Sequence, residues 1–340
     1  MKKLNNSCPV FFLLIVFICV PLIAGSASEE KSKFILRVGG CLSFPNTGDI
    51  NQMTRSYNQA TSDLIALGQT SASDWKEINQ AYEANFELIY DLSDKFKFGL
   101  EGGIIWKRFP GNWSYKYIYP EEIWGLTVIK SSIEENSSFH PSITAYPLLL
   151  NIYYYLKTGR LNVYLKAGAG EYFGRYKINQ VSLIKRAQQD DRYDESGSLI
   201  ETRISNQEDR SEISGLARST AFGLQAGAGI DWKINGRISL TGDAIYRTVN
   251  FRKWMGEYDR ISVIKYEAGI LGYEIHIWQN ENKYTFQSQL YTEYDQKTWN
   301  DEGENIYVRN IQFETSWVPF GPAHVMLDGL SLGLGVKIRL

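Results

Sequence analysis

Hydrophobic and polar positions alternate with a period of two through much of this chain of 340 residues. Side chains of an extended strand point to opposite faces in turn, so the pattern predicts strands with one apolar face. Eight runs carry it. The first, Lys33–Phe44, puts Phe34, Leu36, Val38, Leu42 and Phe44 on one side and Arg37, Gly39, Cys41 and Ser43 on the other. Asn85–Leu92 and Phe96–Lys107 read as a hairpin about Ser93-Asp94-Lys95. Ile143–Leu156 and Leu161–Phe173 are joined by Lys157–Arg160. Ala221–Ile234 and Arg237–Phe251 are joined by Asn235-Gly236, a dipeptide that favours a two-residue turn because both positions accept positive φ. The eighth run is "DGLSLGLGVKIRL", Asp328–Leu340, with Leu330, Leu332, Leu334, Val336, Ile338 and Leu340 on one face.

The links between these runs alternate. They are short after the second, fourth and sixth strands, and long and polar after the first, third, fifth and seventh. A meandering antiparallel barrel with turns at one rim and loops at the other has this rhythm, and transmembrane barrels are built so. Each run is also near the ten residues a tilted strand needs to cross the hydrocarbon layer. The expectation is an all-β, transmembrane, up-and-down antiparallel β-barrel of eight strands with long extracellular loops. Ten strands is the alternative, because "RISVIKYEA" and "KYTFQSQLYTEY" within 252–322 alternate too. A soluble barrel or sandwich with the apolar face inward has the same periodicity. Against it stand the aromatics near strand ends (Tyr90, Phe96, Trp106, Tyr154, Trp232, Tyr246), where interfacial girdles would lie. The polar faces mix charges of both signs with glycine. Arg37, Glu101, Asp231, Asp243, Arg247, Lys337 and Arg339 are expected to form a neutralising network in a narrow lumen, since an unpaired charge there is costly.

The chain opens with "MKK", an apolar run from Pro9 to Ala24, then "AGSASEEKSK". This is the layout of a secretory signal peptide. Cleavage is expected between Ala27 and Ser28, with cleavage after Ser26 as the alternative, leaving 28–340 as the barrel domain; a retained anchor is the rival reading. Cys8 and Cys19 fall in the signal, so Cys41 is left alone and no internal disulfide forms. With 36 Lys and Arg against 38 Asp and Glu, no basic excess points to nucleic acid. The notable surplus is aromatic, 22 Tyr, 16 Phe and 9 Trp, residues that suit membrane interfaces.

The ending "GVKIRL" resembles the C-terminal signal strand of outer-membrane proteins, through Gly335, Ile338 and Leu340, although many members carry Phe or Trp where Leu340 stands. "ELIYDLSDKFKFGLEGG" and "QAGAGIDWKINGRISLTGDAIYR" likewise resemble the small OmpA/OmpX- and OmpW-type barrel-domain family. The resemblance implies residence in the cell outer membrane. It also implies recognition of the last strand by the barrel-assembly machinery, and closure of that strand against the first.

Long loops complete the chain. "INQMTRSYNQATSDLIALG" has room for a short helix, whereas Arg175–Ser219 is charged, poor in apolar residues and expected to be mobile. Candidate chemistry is sparse. His140, His276 and His324 lack metal-ligand spacing, and the Gly-Ala-Gly pieces near Gly168 and Gly227 lie inside strands without a following helix. "DDRYDE" (Asp190–Glu195) reads as a solvated charge run rather than a calcium loop. His140 with Ser137, Ser138 and Glu135 is the one cluster an outer-membrane lipid-modifying enzyme would use, and a polar loop is the plainer reading. No cofactor or metal is expected. The functional expectation is a non-enzymatic outer-membrane barrel of structural, surface-binding or small-solute passage type, monomeric, with lipid and the assembly machinery as partners. A lipid-modifying enzyme and a loop-borne adhesin are the alternatives.

Overall fold

The computed structural model describes residues 32–157, 159–270, 276–299, 305–313 and 325–340, with side chains for 32–156, 159–270 and 325–340. The Ala27–Ser28 junction, His324 and the His276 side chain lie outside the described residues.

In chain order the elements begin with β1 (Phe34–Asn46), α1 (Asp49–Ala66), β2 (Thr70–Ser73), β3 (Ala81–Asp91) and β4 (Phe96–Arg108). There follow β5 (Gly111–Ile118), β6 (Glu122–Trp124), β7 (Thr127–Phe139), β8 (Ser142–Lys157) and β9 (Leu161–Tyr193). The remainder are β10 (Leu199–Lys233), β11 (Ile238–Phe251), β12 (Met255–Ile270), β13 (His276–Trp299), β14 (Asn305–Phe313), β15 (Val325–Met326) and β16 (Asp328–Arg339).

All strand pairings are antiparallel, and one set returns on itself. β1 pairs β3, β3 pairs β4, β4 pairs β8, β8 pairs β9 and β9 pairs β10. The circuit continues through β11 and β16 and back to β1, where Leu36 faces Ile338 and Val38 faces Val336. Closure gives each strand of this circuit a partner on both sides and leaves the circuit without an edge. Short turns join the strands at one rim. Phe96 N–H donates to Ser93 Oγ at 3.0 Å, and the Asn235 side chain accepts from the N–H groups of Arg237 and Ile238, both at 2.8 Å. The positive-φ turn expected at Asn235-Gly236 does not form: neither residue has positive φ. An Asx-type cap by Asn235 holds the link instead.

Two strands of the ring run far beyond it. β9 and β10 pair from Leu161↔Trp232 up to Leu199↔Tyr193, and their outer halves recruit further strands. β7 adds to β9, β5 to β7 and β2 to β5. On the other side β12 adds to β10 at Arg203–Arg218, then β13 to β12 and β14 to β13. Residues 175–219, expected to be mobile, are thus ordered. Low apolar content misled because strand pairing needs backbone partners first, and charges of opposite sign lie across from each other, Lys185 facing Glu134 and Glu208. At the tip, Asp194 accepts from Ser196 Oγ at 2.6 Å and the Ser198 N–H at 2.8 Å, with Gly197 at φ 82°. The Ser196 hydroxyl and these backbone donors hold the Asp194 carboxyl below its ordinary value. β12 docks on the outer half of β10, outside the ring; the alternating run within it is part of this extension.

α1 contacts both β2 and β14, the two flanks of the extension. Its buried Ile50, Met53, Tyr57, Ala60 and Leu64 recur every three or four residues, one helical face. It stops in a Schellman motif at Gly68 (φ 75°), where Gln69 N–H reaches Leu64 O at 2.9 Å and Gly68 N–H reaches Ile65 O at 3.0 Å.

Candidate functional site: the interior of the ring

The faces of the ring are inverted relative to a water-soluble core. Leu150 is 70 % exposed, Phe222 63 % and Leu334 77 % on the outside, while Arg37, Glu87 and Glu101 are each 1 % exposed inside. One outward row across the strands reads Leu88, Leu100, Leu150, Ala169 and Leu224. Aromatic residues flank it. Phe96 stacks near Tyr154 (5.1 Å) and Phe34 near Tyr90 (5.2 Å) toward the turn rim, and Tyr82 lies 5.9 Å from Trp106 toward the loop rim. Phe96 and Trp106 are ten residues apart on β4, roughly 33 Å along a strand and about 25 Å along the axis at a tilt near 40°.

Inside, charge and aromatic rings interlock. Lys166 Nζ sits 2.7 Å from Glu101 and 3.4 Å from Glu87. Arg37 reaches Glu87 at 3.3 Å and also Asp243. Asn151 donates to both Glu87 (2.7 Å) and Glu101 (2.8 Å), and Gln225 donates to Glu101 (3.0 Å). Tyr153 hydrogen-bonds Glu87, and Tyr164 bonds Asp243 and Thr241. Toward the loop rim, Arg247 pairs with Glu83 at 2.6 Å, and Ser43 donates to the same carboxylate. Toward the turn rim, Lys337 pairs with Asp231 at 2.8 Å and lies 4.3 Å from the Tyr164 ring centroid. Arg339 lies at that rim, on Asp91 at 2.7 Å, outside the inner cluster. Among the described residues, the cations Arg37, Lys97, Lys166, Arg247, Lys337 and Arg339 each contact one or more of Glu83, Glu87, Asp91, Glu101, Asp231 and Asp243.

Interior glycines make room for these groups. A Cβ on Gly99 would collide with the Glu87 carboxylate, and one on Gly168 with the Asn151 amide. The Gly-Ala-Gly pieces therefore serve close packing. Sequence reasoning missed the tyrosines of the network. In "YYY", Tyr154 points out, so period two already sends Tyr153 and Tyr155 in; both are buried.

Above the charged layer the interior turns aromatic. Trp75, Phe109, Trp113, Tyr115, Phe139, Tyr172, Tyr176, Phe251 and Trp254 form one buried cluster with the inner face of α1. Tyr57 stacks on Trp75 at 5.0 Å, and Trp113 Nε1 donates to Thr61 at 3.1 Å. Tyr172 OH, Tyr176 OH and Trp254 Nε1 are buried without a hydrogen-bond partner among the described residues. The period of Trp113, Tyr115 and Tyr117 in "GNWSYKYIY" was the available signal for this layer.

The other candidates are dispersed. Ser137 donates to Glu135 at 2.8 Å, whereas it is Ser138 that meets His140, at 3.2 Å, so the acid and the imidazole hold different serines. Asp191 is engaged by Gln189, Thr202 and Lys130, and Asp194 by the hairpin tip. Among the described residues no group of three His, Cys, Asp or Glu side chains is placed to hold a metal ion. Gly335 lies between Gly39 and Thr241, Ile338 between Leu36 and Ile238, and the Leu340 N–H donates to Phe34 O at 3.0 Å.

No protein-family model and no curated protein matches the chain. Among solved structures it is similar to a deletion mutant of the TodX monoaromatic hydrocarbon channel, at 7 % identity and TM-score 0.18, covering 92 % of this chain and 91 % of that one. A FadL homologue of Pseudomonas aeruginosa aligns at 7 % identity and TM-score 0.16, over 90 % of each chain. OccK10 of the same organism aligns at 8 % identity and TM-score 0.08, over 76 % of this chain and 99 % of that one. Likeness at this level carries no argument, and the geometry above is what bears on function.

Proposed function

We propose that the chain is an integral outer-membrane β-barrel of eight strands, β1, β3, β4, β8, β9, β10, β11 and β16, carrying an external extension closed by α1. The observation that supports this reading is the inversion of burial: an apolar outer band between aromatic rims, around an interior of paired charges. In water such a band would be a large unpartnered apolar surface; in hydrocarbon it is the favoured solvent-facing wall.

Its role on this reading is structural or surface-binding, with passage of small solutes conditional on movement. An eight-stranded barrel is just wide enough to be filled by side chains. Here the charged layer fills one end, and the aromatic cluster beneath α1 the other. The Tyr172, Tyr176 and Trp254 donors, without a hydrogen-bond partner among the described residues, suit an amphipathic solute that brings an acceptor once α1 lifts. Membrane lipid and, during biogenesis, the barrel-assembly machinery are its partners, and no catalytic step is assigned. The test is fractionation of the expressing cells with an unboiled-versus-boiled gel. Recovery in the outer membrane as a heat-modifiable band supports the reading, and recovery as a soluble protein sinks it.

A further inference from the structure

Just above the loop-side aromatics, the outward face of β4, β9 and β10 changes from apolar to basic, while β8 between them carries Ser142 and Thr144. Arg108 on β4 lies in register with Ser142 on β8 and, through it, Lys177 on β9. One step nearer the band, Arg175 on β9 stands directly opposite Arg218 on β10. All four basic side chains are exposed, and none makes an ion pair with a described residue. This contrasts with the farther extension, where Lys185 and Arg186 face acidic partners. Like charges directly opposite across an antiparallel pair destabilise it unless something neutralises them. Among the described residues of these two rows, the carboxylate on the same face is Glu257, beside Leu216. Glu171 lies two outward positions deeper than Arg175, about 13 Å along the strand, and no ion pair of 4.0 Å or less joins the two.

The surroundings fix the depth of the cluster. Arg175 lies 5.3 Å over the Tyr146 ring, and the next outward residue below it is Phe173. Basic groups at the edge of an apolar band with aromatic anchors beneath them sit where lipid headgroups sit. Arginine's planar fork also matches phosphate bidentately.

We infer that Arg108, Arg175, Lys177 and Arg218 form a binding site for the phosphorylated headgroup of an outer-leaflet lipid. The inference rests on the membrane reading of the ring and adds the lipid class that the wall selects.

The test uses the full chain refolded into phosphatidylcholine nanodiscs doped with a bis-phosphorylated glucosamine-disaccharide lipid. Native mass spectrometry then counts the lipid retained on release. The parent should enrich this lipid over phosphatidylcholine and over its dephosphorylated counterpart. Each basic residue at a lipid surface is worth about fivefold, so R175Q/R218Q should lower the enrichment roughly 25-fold. R175K/R218K should keep part of it, and K185Q/K265Q, on the farther extension, should change nothing. Should R175Q/R218Q fold poorly by gel mobility, R108Q/K177Q serves in its place with the same expected loss. Equal retention by parent and variants overturns the inference. Displacement of the lipid by an equal concentration of inorganic phosphate overturns the lipid as the source of the anion. A parent that never enters the nanodisc fails the membrane reading itself, whereas one that enters without enrichment fails the headgroup site alone.

Discussion

Replacing Leu150 by arginine separates a lipid-facing wall from a water-facing one by the size of its effect on folding. Leu150 is 70 % exposed and lies between Leu100 and Ala169 on the neighbouring strands. Tyr154, opposite Phe96, is four residues away on one side, and Tyr146, opposite Phe173, four on the other. Four residues span about 13 Å of strand, or roughly 10 Å of depth at a tilt near 40°. The guanidinium thus starts near the middle of a band about 25 Å tall and is far from water on both sides. Arginine at such a midplane position costs about 2–4 kcal/mol, a fall of roughly 30- to 900-fold in the folded-to-unfolded ratio. Trp106→Arg, at the rim, should cost about 0–1 kcal/mol. If water covered this wall, Leu150→Arg would stay within about 0.5 kcal/mol of neutral and would improve solubility. The assay is refolding from urea into phosphatidylcholine vesicles, reading the folded fraction by unboiled gel mobility and protease resistance. Parent-like folding of Leu150→Arg would refute the membrane reading.

Three further outcomes follow from the interior and the extension. Lys166→Met leaves the Glu87 and Glu101 carboxylates buried with less positive charge and should cost about 3–5 kcal/mol; adding Glu101→Gln should recover part of it, read as the urea midpoint of the unboiled band. Trp113→Ala removes a ring 2 % exposed that holds Tyr57 and Thr61 of α1, at about 3–5 kcal/mol; proteolysis should cut within 49–66 while the heat-modifiable band persists. Asp194 has its carboxyl pKa depressed by the hairpin tip, so its support is fully present above the ordinary 3.8 and is lost as pH falls through the lowered value. Amide exchange at Ser196 and Ser198, in the tip between β9 and β10, should therefore rise below about pH 4 relative to the paired residues of β9, and Asp194→Asn should show the faster exchange already at neutral pH.

The alternation of apolar and polar positions was enough to determine the strands of the ring and which face of each is greasy. A one-residue slip would turn Leu36, Leu100 or Leu224 inward and Arg37, Glu101 or Gln225 outward, so the pattern admits one phase. It left room for a short helix where α1 forms over 18 residues, and Ile50, Met53, Tyr57, Ala60 and Leu64, recurring at helical spacing, were the signal for its full length. Partners were beyond it. That Arg37 meets Glu87 and Asp243, or that Lys337 meets Asp231, depends on which strands lie across the interior, and period two says nothing about that. The extension was illegible for a related reason. Residues 175–219 bury few apolar side chains, and their order comes from backbone pairing with β7 and β12, segments 40 to 80 residues distant in some pairs, as Ser137↔Ser182 and Ser205↔Ala268 illustrate. Only the tertiary structure could bring those strands together, because hydrogen-bond partners of a strand are set by its neighbours in space and leave no period in its own sequence.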